Sequence, residues 1–412
     1  GAGLGAAYLA LFTGLFAVVQ YRLILSIGCR GLLAAPVLWT AMEYLLSLGE
    51  MGFPWLLLGH SQASVPPLIQ MASITGVYGI SWVIVLVSAF VALALVDAPR
   101  RILSFGAAVL VIVTLFVSGW WTLKVGPTDP AEQVRVGLIQ NNLGRAKWQS
   151  GGLRTSLSSL DSLSRRALGW QDDTGGSVDL LVWPETAVPC DLSRRASCRR
   201  PIQSLADEFD VPVLTGAPGR DAVSGEPLNA VYFVQPHTNA LPTYAKMHLV
   251  PFGEFMPMRW LLQPLIRFLD IPMSNFAAGE AERPLLQVAG YPAGVSICYE
   301  DAFGNEIIQA MPDARFLVNA SNDAWFGDSL ALPQHLQIAR MRSLETGRYQ
   351  LRATNTGISA FIGPRGELIS SSPIFQEYVL RGEIVPMRGM TPYARMGNWG
   401  VVLLLLLLLG MV

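Results

Sequence analysis

Residues 294–301 read Gly294-Val295-Ser296-Ile297-Cys298-Tyr299-Glu300-Asp301, a short β-type run that ends in a thiol and two carboxylates. Two stretches upstream share this design. Leu181-Val182-Trp183-Pro184-Glu185 sets a carboxylate behind an apolar run, and Tyr244-Ala245-Lys246-Met247-His248 does the same with an ammonium. A carboxylate, an ammonium and a thiol, each at the end of a predicted strand, are the groups that acyl transfer through a thioester needs. Taken alone, a cysteine at a strand end is more often a small buried hydrophobe. Spacing along the chain does not show that the three meet.

The thiolate is the nucleophile, so a base must take the Cys298 proton. His60, His237, His248 and His335 sit in contexts that give no signal. Glu185 is the better candidate, because its neighbours Val182, Trp183 and Pro184 are apolar and desolvation raises a carboxyl pKa toward the working pH. Pro184 fixes one torsion and removes an N–H, which ends the strand and turns the carboxylate out of the sheet. Lys246 is one of three lysines against 26 arginines. A compact point charge there suits stabilisation of an oxyanion. No CxxC pair and no HxxxH spacing occurs, so no metal site and no cofactor is expected.

The 412 residues are 51% hydrophobic and 14% charged, too apolar for an ordinary soluble enzyme. Residues 1–96 carry only Arg22, Arg30, Glu43 and Glu50 as charged groups, whereas 122–398 carry 52 of the 59. The net charge of −1 argues against a nucleic-acid partner. The expected organisation is therefore transmembrane helices over 1–121, a catalytic domain over 122–398 and a C-terminal helix over 399–412. Four spans are expected, at 1–19, 32–48, 67–96 and 102–121, since a bilayer core takes about 20 apolar residues. Gly76 and Gly79 make the third one tilted or broken. The last run holds 14 residues, roughly 21 Å of helix at 1.5 Å per residue, and the chain opens in mid-hydrophobic run, so both ends are expected to be truncated. Arg22 and Arg30 in one loop and Arg100 and Arg101 in another place those loops in the cytoplasm and the polar domain on the outer face. Cys190 and Cys198, in an Arg-rich loop, form either a disulfide on that oxidising side or two free thiols.

Aliphatic runs at Val134–Gln140, Val178–Trp183, Val211–Thr215, Ala230–Val234, Gly294–Cys298, Phe316–Ala320 and Gly357–Ile362 read as buried strands. Leu153–Leu168 and Gln334–Leu351 read as helices, and Gly219–Pro227 as a turn-rich excursion. This alternation predicts an α/β domain with its functional groups at strand ends.

The three motifs together resemble the nitrilase, or carbon–nitrogen hydrolase, superfamily with its Glu-Lys-Cys triad. Their flanks are similar to one family within it, the apolipoprotein N-acyltransferases: Trp183-Pro184-Glu185-Thr186-Ala187, residues 246–257 (KMHLVPFGEFMP), Ile297-Cys298-Tyr299-Glu300, residues 321–327 (SNDAWFG), Thr391-Pro392-Tyr393-Ala394-Arg395 and Gly52-Phe53-Pro54-Trp55. The resemblance implies a four-layer αββα sandwich on a transmembrane helical bundle. It implies Glu185 as general base, Lys246 as oxyanion partner and Cys298 as nucleophile. It adds Glu254 as a further essential glutamate and Tyr299 and Glu300 as residues that shape the site. It likens Trp148 to a tryptophan on a mobile arm at the entrance, with a core aromatic as the other reading. Asn322 and Asp323 line the site or form a turn, the turn being preferred for Asp323. The implied activity moves an acyl chain from a membrane phospholipid, typically phosphatidylethanolamine, to the α-amine of a diacylglyceryl-cysteine on an apolipoprotein, in a bacterial inner membrane. Phe252, Phe255, Met256, Met258, Trp260, Leu261 and Leu262 form a lipid-facing lip or ordinary core. The competing readings are a membrane-anchored amidase with the same triad and a degenerate domain used only for binding.

Overall fold

The structure is a computed structural model that describes residues 2–124, 132–169, 177–258, 275–280 and 284–403. It separates into two compact units. One comprises Gly1–Pro127, Leu344–Thr346 and Met390–Val412, and the other Thr128–Ser343 and Gly347–Gly389.

The first unit is helical. Its main helices are α1 (Ala2–Ile27), α2 (Ala35–Leu46), α3 (Ala72–Val96) and α4 (Arg101–Lys124). Three stretches, Gly5–Leu46, Ala72–Val96 and Ala98–Lys124, are long and apolar enough to cross a membrane. Leu11, Leu15, Val18 and Leu25 on α1 and Ile102, Leu103, Leu110 and Val117 on α4 are exposed, as lipid-facing side chains are. The span expected at 32–48 is a helix of only 12 residues, entered through a 3-10 segment, Gly28–Ala34. The expected break in α3 is at Gly76, with φ 66°. A glycine is required there twice over: the backbone is left-handed, and the ring of Tyr393 occupies the place a Cβ would take, 2.4 Å from it. The break orphans the Val77 N–H, which donates to Glu345 Oε1 at 2.8 Å. Much of the expected last span, 404–412, lies outside the described residues.

The second unit holds two six-stranded sheets. The first contains β1 (Val134–Gln140), β2 (Leu180–Val182), β3 (Val213–Arg220), β4 (Pro227–Val234), β5 (Thr243–Ala245) and, at its other edge, β12 (Tyr378–Ile384), in the order β12-β1-β2-β3-β4-β5. The second contains β6 (Leu286–Val288), β7 (Tyr291–Ile297), β8 (Phe316–Ser321), β9 (Gln350–Thr354), β10 (Ala360–Ile362) and β11 (Leu368–Ser371), in the order β11-β10-β9-β8-β7-β6. In each sheet three central strands run parallel, β1-β2-β3 and β7-β8-β9, and the outer pairings are antiparallel.

The strand period of two assigns side chains to layers. Leu180, Val182 and Leu214 join Val295, Ile297, Val318 and Leu351 in the core between the sheets. Leu181, Trp183 and Val213 point the other way, against Leu160 and Leu163 of α5 (Gly152–Leu168) and Ile202 and Leu205 of α6 (Ala196–Phe209). On the far sheet Ala360 and Ile362 meet Ala339 of α7 (Ala331–Thr346). The result is four layers, αββα. Burial on both faces is why these strands read as unbroken aliphatic runs.

Two expectations are corrected. The helix expected over 334–351 stops at Thr346, Gly347 takes φ 65°, and β9 starts at Gln350. The Arg-rich stretch expected as a loop enters α6, whose Cys198, Ile202, Leu205 and Ala206 are buried. That apolar stripe was masked by four arginines. Cys190 and Cys198 are joined by a disulfide that ties α6 to the connection leaving β2.

Candidate active site

Cys298 follows the last residue of β7 and takes φ 51°, a left-handed conformation uncommon for a residue with a side chain. Three contacts hold it. Ile297 N donates to Glu300 Oε2 at 2.7 Å, and the Cys298 carbonyl faces His335 Nε2 at 3.2 Å and Asn319 Nδ2 at 3.4 Å. Glu300 also accepts from the Tyr244 hydroxyl at 2.8 and 2.9 Å and from the Met247 and His248 N–H groups at 2.8 and 3.1 Å. One buried carboxylate thus fastens the cysteine turn to the chain around Lys246. Tyr299 is buried and packs edge-on to Phe303.

Lys246 comes directly after β5 and is 1% exposed. Its Nζ lies 3.0 and 2.8 Å from the two oxygens of Glu254. Glu254 is fixed in turn by the Val250 N–H at 2.8 Å. Glu185, three residues beyond β2, is 6% exposed. Its turn rests against Gly216 of β3, where a Cβ would lie 2.6 Å from both the Glu185 Cα and the Pro184 oxygen. The amide of Asn229 in β4 joins the two carboxylates, donating to Glu185 at 2.7 Å and to Glu254 at 3.0 Å. Sequence reasoning missed Asn229. Its signal was a polar residue opening an otherwise apolar strand.

The electrostatics couple these groups. Burial pushes the Glu185 carboxyl up, against the pull of Lys246. Burial also pushes the Cys298 thiol well up, with Glu185 adding to the shift and Lys246 opposing it. For Lys246 burial pulls down, yet Glu254 and Glu185 outweigh it and the ammonium is held above its usual range. Glu185, Lys246 and Cys298, at the ends of strands from both sheets, therefore act on one another electrostatically. The charges of Glu185 and Lys246 both bear on the Cys298 thiol.

Beneath the cysteine lies a network that the sequence did not reveal. Asp323, expected as a turn former, is fully buried and bonds His335 Nδ1 at 2.9 Å and Arg352 Nη2 at 3.0 Å. His335, expected to carry no signal, is buried between Asp323 and the Cys298 carbonyl. Burial raises the Asp323 carboxyl, but His335 and Arg352 outweigh it and hold it low. The donor atoms of Cys298, Asp323 and His335 lie within 4.8 Å of one another, the reach of a metal ion. Both His335 nitrogens and both Asp323 oxygens already have partners, so the set works as a hydrogen-bonded support. Asn322 Oδ1 accepts from Ala324 N in its turn at 3.4 Å and from Asn355 Nδ2 at 3.1 Å.

Trp148 is 57% exposed on a short 3-10 turn, Arg145–Trp148, which removes the core reading. Of the apolar lip, Phe252 is exposed and Phe255, Met256 and Met258 are partly exposed, while Trp260, Leu261 and Leu262 lie outside the described residues.

Residues 135–390 match the carbon-nitrogen hydrolase family, the class of protein this αββα fold defines. Residues 2–90 match the apolipoprotein N-acyltransferase N-terminal domain. The chain belongs to the apolipoprotein N-acyltransferase family and is an acyltransferase with a carbon–nitrogen hydrolase catalytic domain. The apolipoprotein N-acyltransferase of Methylococcus capsulatus is 40% identical over 403 residues, 96% of this chain and 76% of its own length. That of Chromobacterium violaceum is 37% identical, over 98% of this chain and 77% of its own. Among solved structures, a nitrilase-superfamily protein of Saccharomyces cerevisiae aligns with a TM-score of 0.48 at 16% identity, covering 63% of this chain and 93% of its own.

Proposed function

We propose that this acyltransferase N-acylates the α-amine of the diacylglyceryl-cysteine of apolipoproteins, in two steps through a thioester on Cys298. In the first step Glu185 takes the thiol proton and Sγ attacks an ester carbonyl of a membrane phospholipid, phosphatidylethanolamine being the expected donor. Lys246 faces the oxyanion, and Glu185 returns the proton to the departing glycerol oxygen. Lysophospholipid leaves and the acyl chain stays on sulfur. In the second step the lipoprotein amine attacks the thioester carbonyl, Glu185 takes the amine proton, an amide forms, and the proton passes back to the departing Cys298 sulfur. The observation that carries this reading is that buried Glu185 and Lys246, linked through Asn229 and Glu254, act electrostatically on each other and on Cys298.

Membrane mounting fits the substrate. Drawing a long acyl chain into water costs about 0.8 kcal/mol per CH₂, so the site must come to the lipid. Inner-membrane location with the catalytic domain outside is proposed from the arginines grouped at the end of α1 and in the segment after it (Arg22, Arg30) and at the start of α4 and just before it (Arg100, Arg101), and the Cys190–Cys198 disulfide suits an oxidising face.

The test is to incubate the protein with phospholipid and weigh the peptide carrying Cys298, then add a diacylated lipopeptide. An acyl adduct discharged onto the lipopeptide amine supports the proposal. Release of free fatty acid or ammonia without N-acylation supports the amidase reading instead.

A further inference from the structure

Lys147 is 3% exposed, yet among the described residues its Nζ meets no hydrogen-bond acceptor. A buried ammonium without a partner is unfavourable, and the surrounding chain is built to keep it there. Asn142 N donates to the Asn355 carbonyl at 3.0 Å and Leu143 N to Asn355 Oδ1 at 3.0 Å, while Asn355 Nδ2 returns a bond to the Leu143 carbonyl at 2.9 Å. These clamp the connection leaving β1 to the end of β9. Gly152 closes on the other side, where a Cβ would come within 2.3 Å of the Lys147 carbonyl oxygen. Asn141, on the same connection, is 1% exposed, and neither its amide nitrogen nor its oxygen has a hydrogen-bond partner among the described residues.

Charge and place say what such a pair takes. Lys246 is committed to both oxygens of Glu254, whereas Lys147 has no bonded carboxylate among the described residues. The charge that acts on Lys147 is that of Glu185, and the charges that act on the Cys298 thiol are those of Glu185, Lys246, Asp323 and Glu254. Lys147 therefore stands on the Glu185 side of the site, on the connection leaving β1, the parallel neighbour of the strand β2 that leads to Glu185. In the reaction proposed above Glu185 delivers its proton to the departing glycerol oxygen, so this is the leaving group's side. A phospholipid's leaving group carries its phosphodiester on that same glycerol, a short bridge away from the ester.

We infer that Lys147, assisted by the Asn141 amide, binds the phosphodiester of the acyl donor and so selects a phospholipid over an uncharged glyceride. The inference rests on the phospholipid-donor reading and names the group that would enforce it.

The experiment measures kcat/KM for acylation of Cys298 in the full membrane protein with three donors of identical chains: phosphatidylethanolamine, phosphatidylglycerol and diacylglycerol. The wild type should prefer both phospholipids. Lys147→Met should cut the preference over diacylglycerol tenfold or more for both. An equal loss on all three donors would mean that Lys147 serves Glu185 alone, and a loss confined to one headgroup would place the contact beyond the phosphate; either overturns the inference. A wild type acylated by no phospholipid would instead sink the donor reading. A measurement on the wild type alone guards against a variant that folds poorly: glycerophosphoethanolamine should slow acylation by diacylglycerol, and glycerol should not. Absence of that competition overturns the inference as well.

Discussion

His335 Nε2 stands 3.2 Å from the carbonyl oxygen of Cys298, while its Nδ1 is 2.9 Å from the buried carboxylate of Asp323. The ring ties the Cys298 peptide group to the centre of the second sheet. Cys298 has φ 51°, and a residue held in such a region costs on the order of 1–3 kcal/mol. His335→Phe removes the tie and leaves Asp323 short of a donor. Its acylation rate should fall at least about tenfold, worth ~1.4 kcal/mol, with a lower melting temperature. His335→Gln, which keeps one donor, should recover part of the rate. An unchanged acylation rate in the Phe variant would make the ring a packing element only.

The Lys246–Glu254 pair is buried, so breaking it leaves an uncompensated charge. Glu254→Gln should cost about 3–5 kcal/mol of stability and, by removing the carboxylate that outweighs burial at Lys246, abolish acylation. Lys246→Arg should fail too, because a planar fork does not replace a point charge in that space. Cys298→Ala should give no acyl-enzyme and Glu185→Gln almost none, all read by mass spectrometry of the intact protein.

Lys147 gives a pH-dependent stability. Burial pulls its ammonium down from 10.5 to about 8, with Glu185 opposing. Between these two values the unfolded chain holds the proton and the folded one has lost it, so stability rises with pH. Below about pH 8 the penalty is full. Lys147→Met should therefore stabilise the protein near neutrality by up to about 3 kcal/mol, and the gain should vanish as pH approaches 10.5. Thermal unfolding of both proteins across this range checks the sign. A variant less stable than wild type at pH 7 would contradict it.

The Cys190–Cys198 disulfide closes a short loop between the Glu185 connection and α6. The chain-entropy estimate for such a loop is about 2–3 kcal/mol. Replacing both cysteines with serine should lower the melting temperature, and dithiothreitol should do the same to the wild type but not to the double variant.

Gly216 backs the Glu185 turn with no room for a Cβ. Gly216→Ala should move the carboxylate and lose acylation by about tenfold or more, since misplacement of a positioned group by about 1 Å is expensive. The far-ultraviolet circular dichroism should stay as in the wild type.

The sequence by itself determined the division into an apolar helical part and an α/β part, most of the central strands, and the strand-end positions of Glu185, Lys246 and Cys298. These are legible because burial on both faces writes aliphatic runs into a strand, and β5 and β7 stop directly before Lys246 and Cys298 while β2 stops three residues before Glu185. Edge strands such as β11 and β12, with polar and charged positions among the apolar ones, left no such run. The tertiary structure alone decided that Asn229 bridges Glu185 and Glu254, that Asp323 and His335 support Cys298, and that Lys147 is buried beside Glu185. Each depends on residues 12 to 44 positions apart meeting in space. A polar side chain takes its meaning from the partner it meets, and local pattern carries no record of that partner.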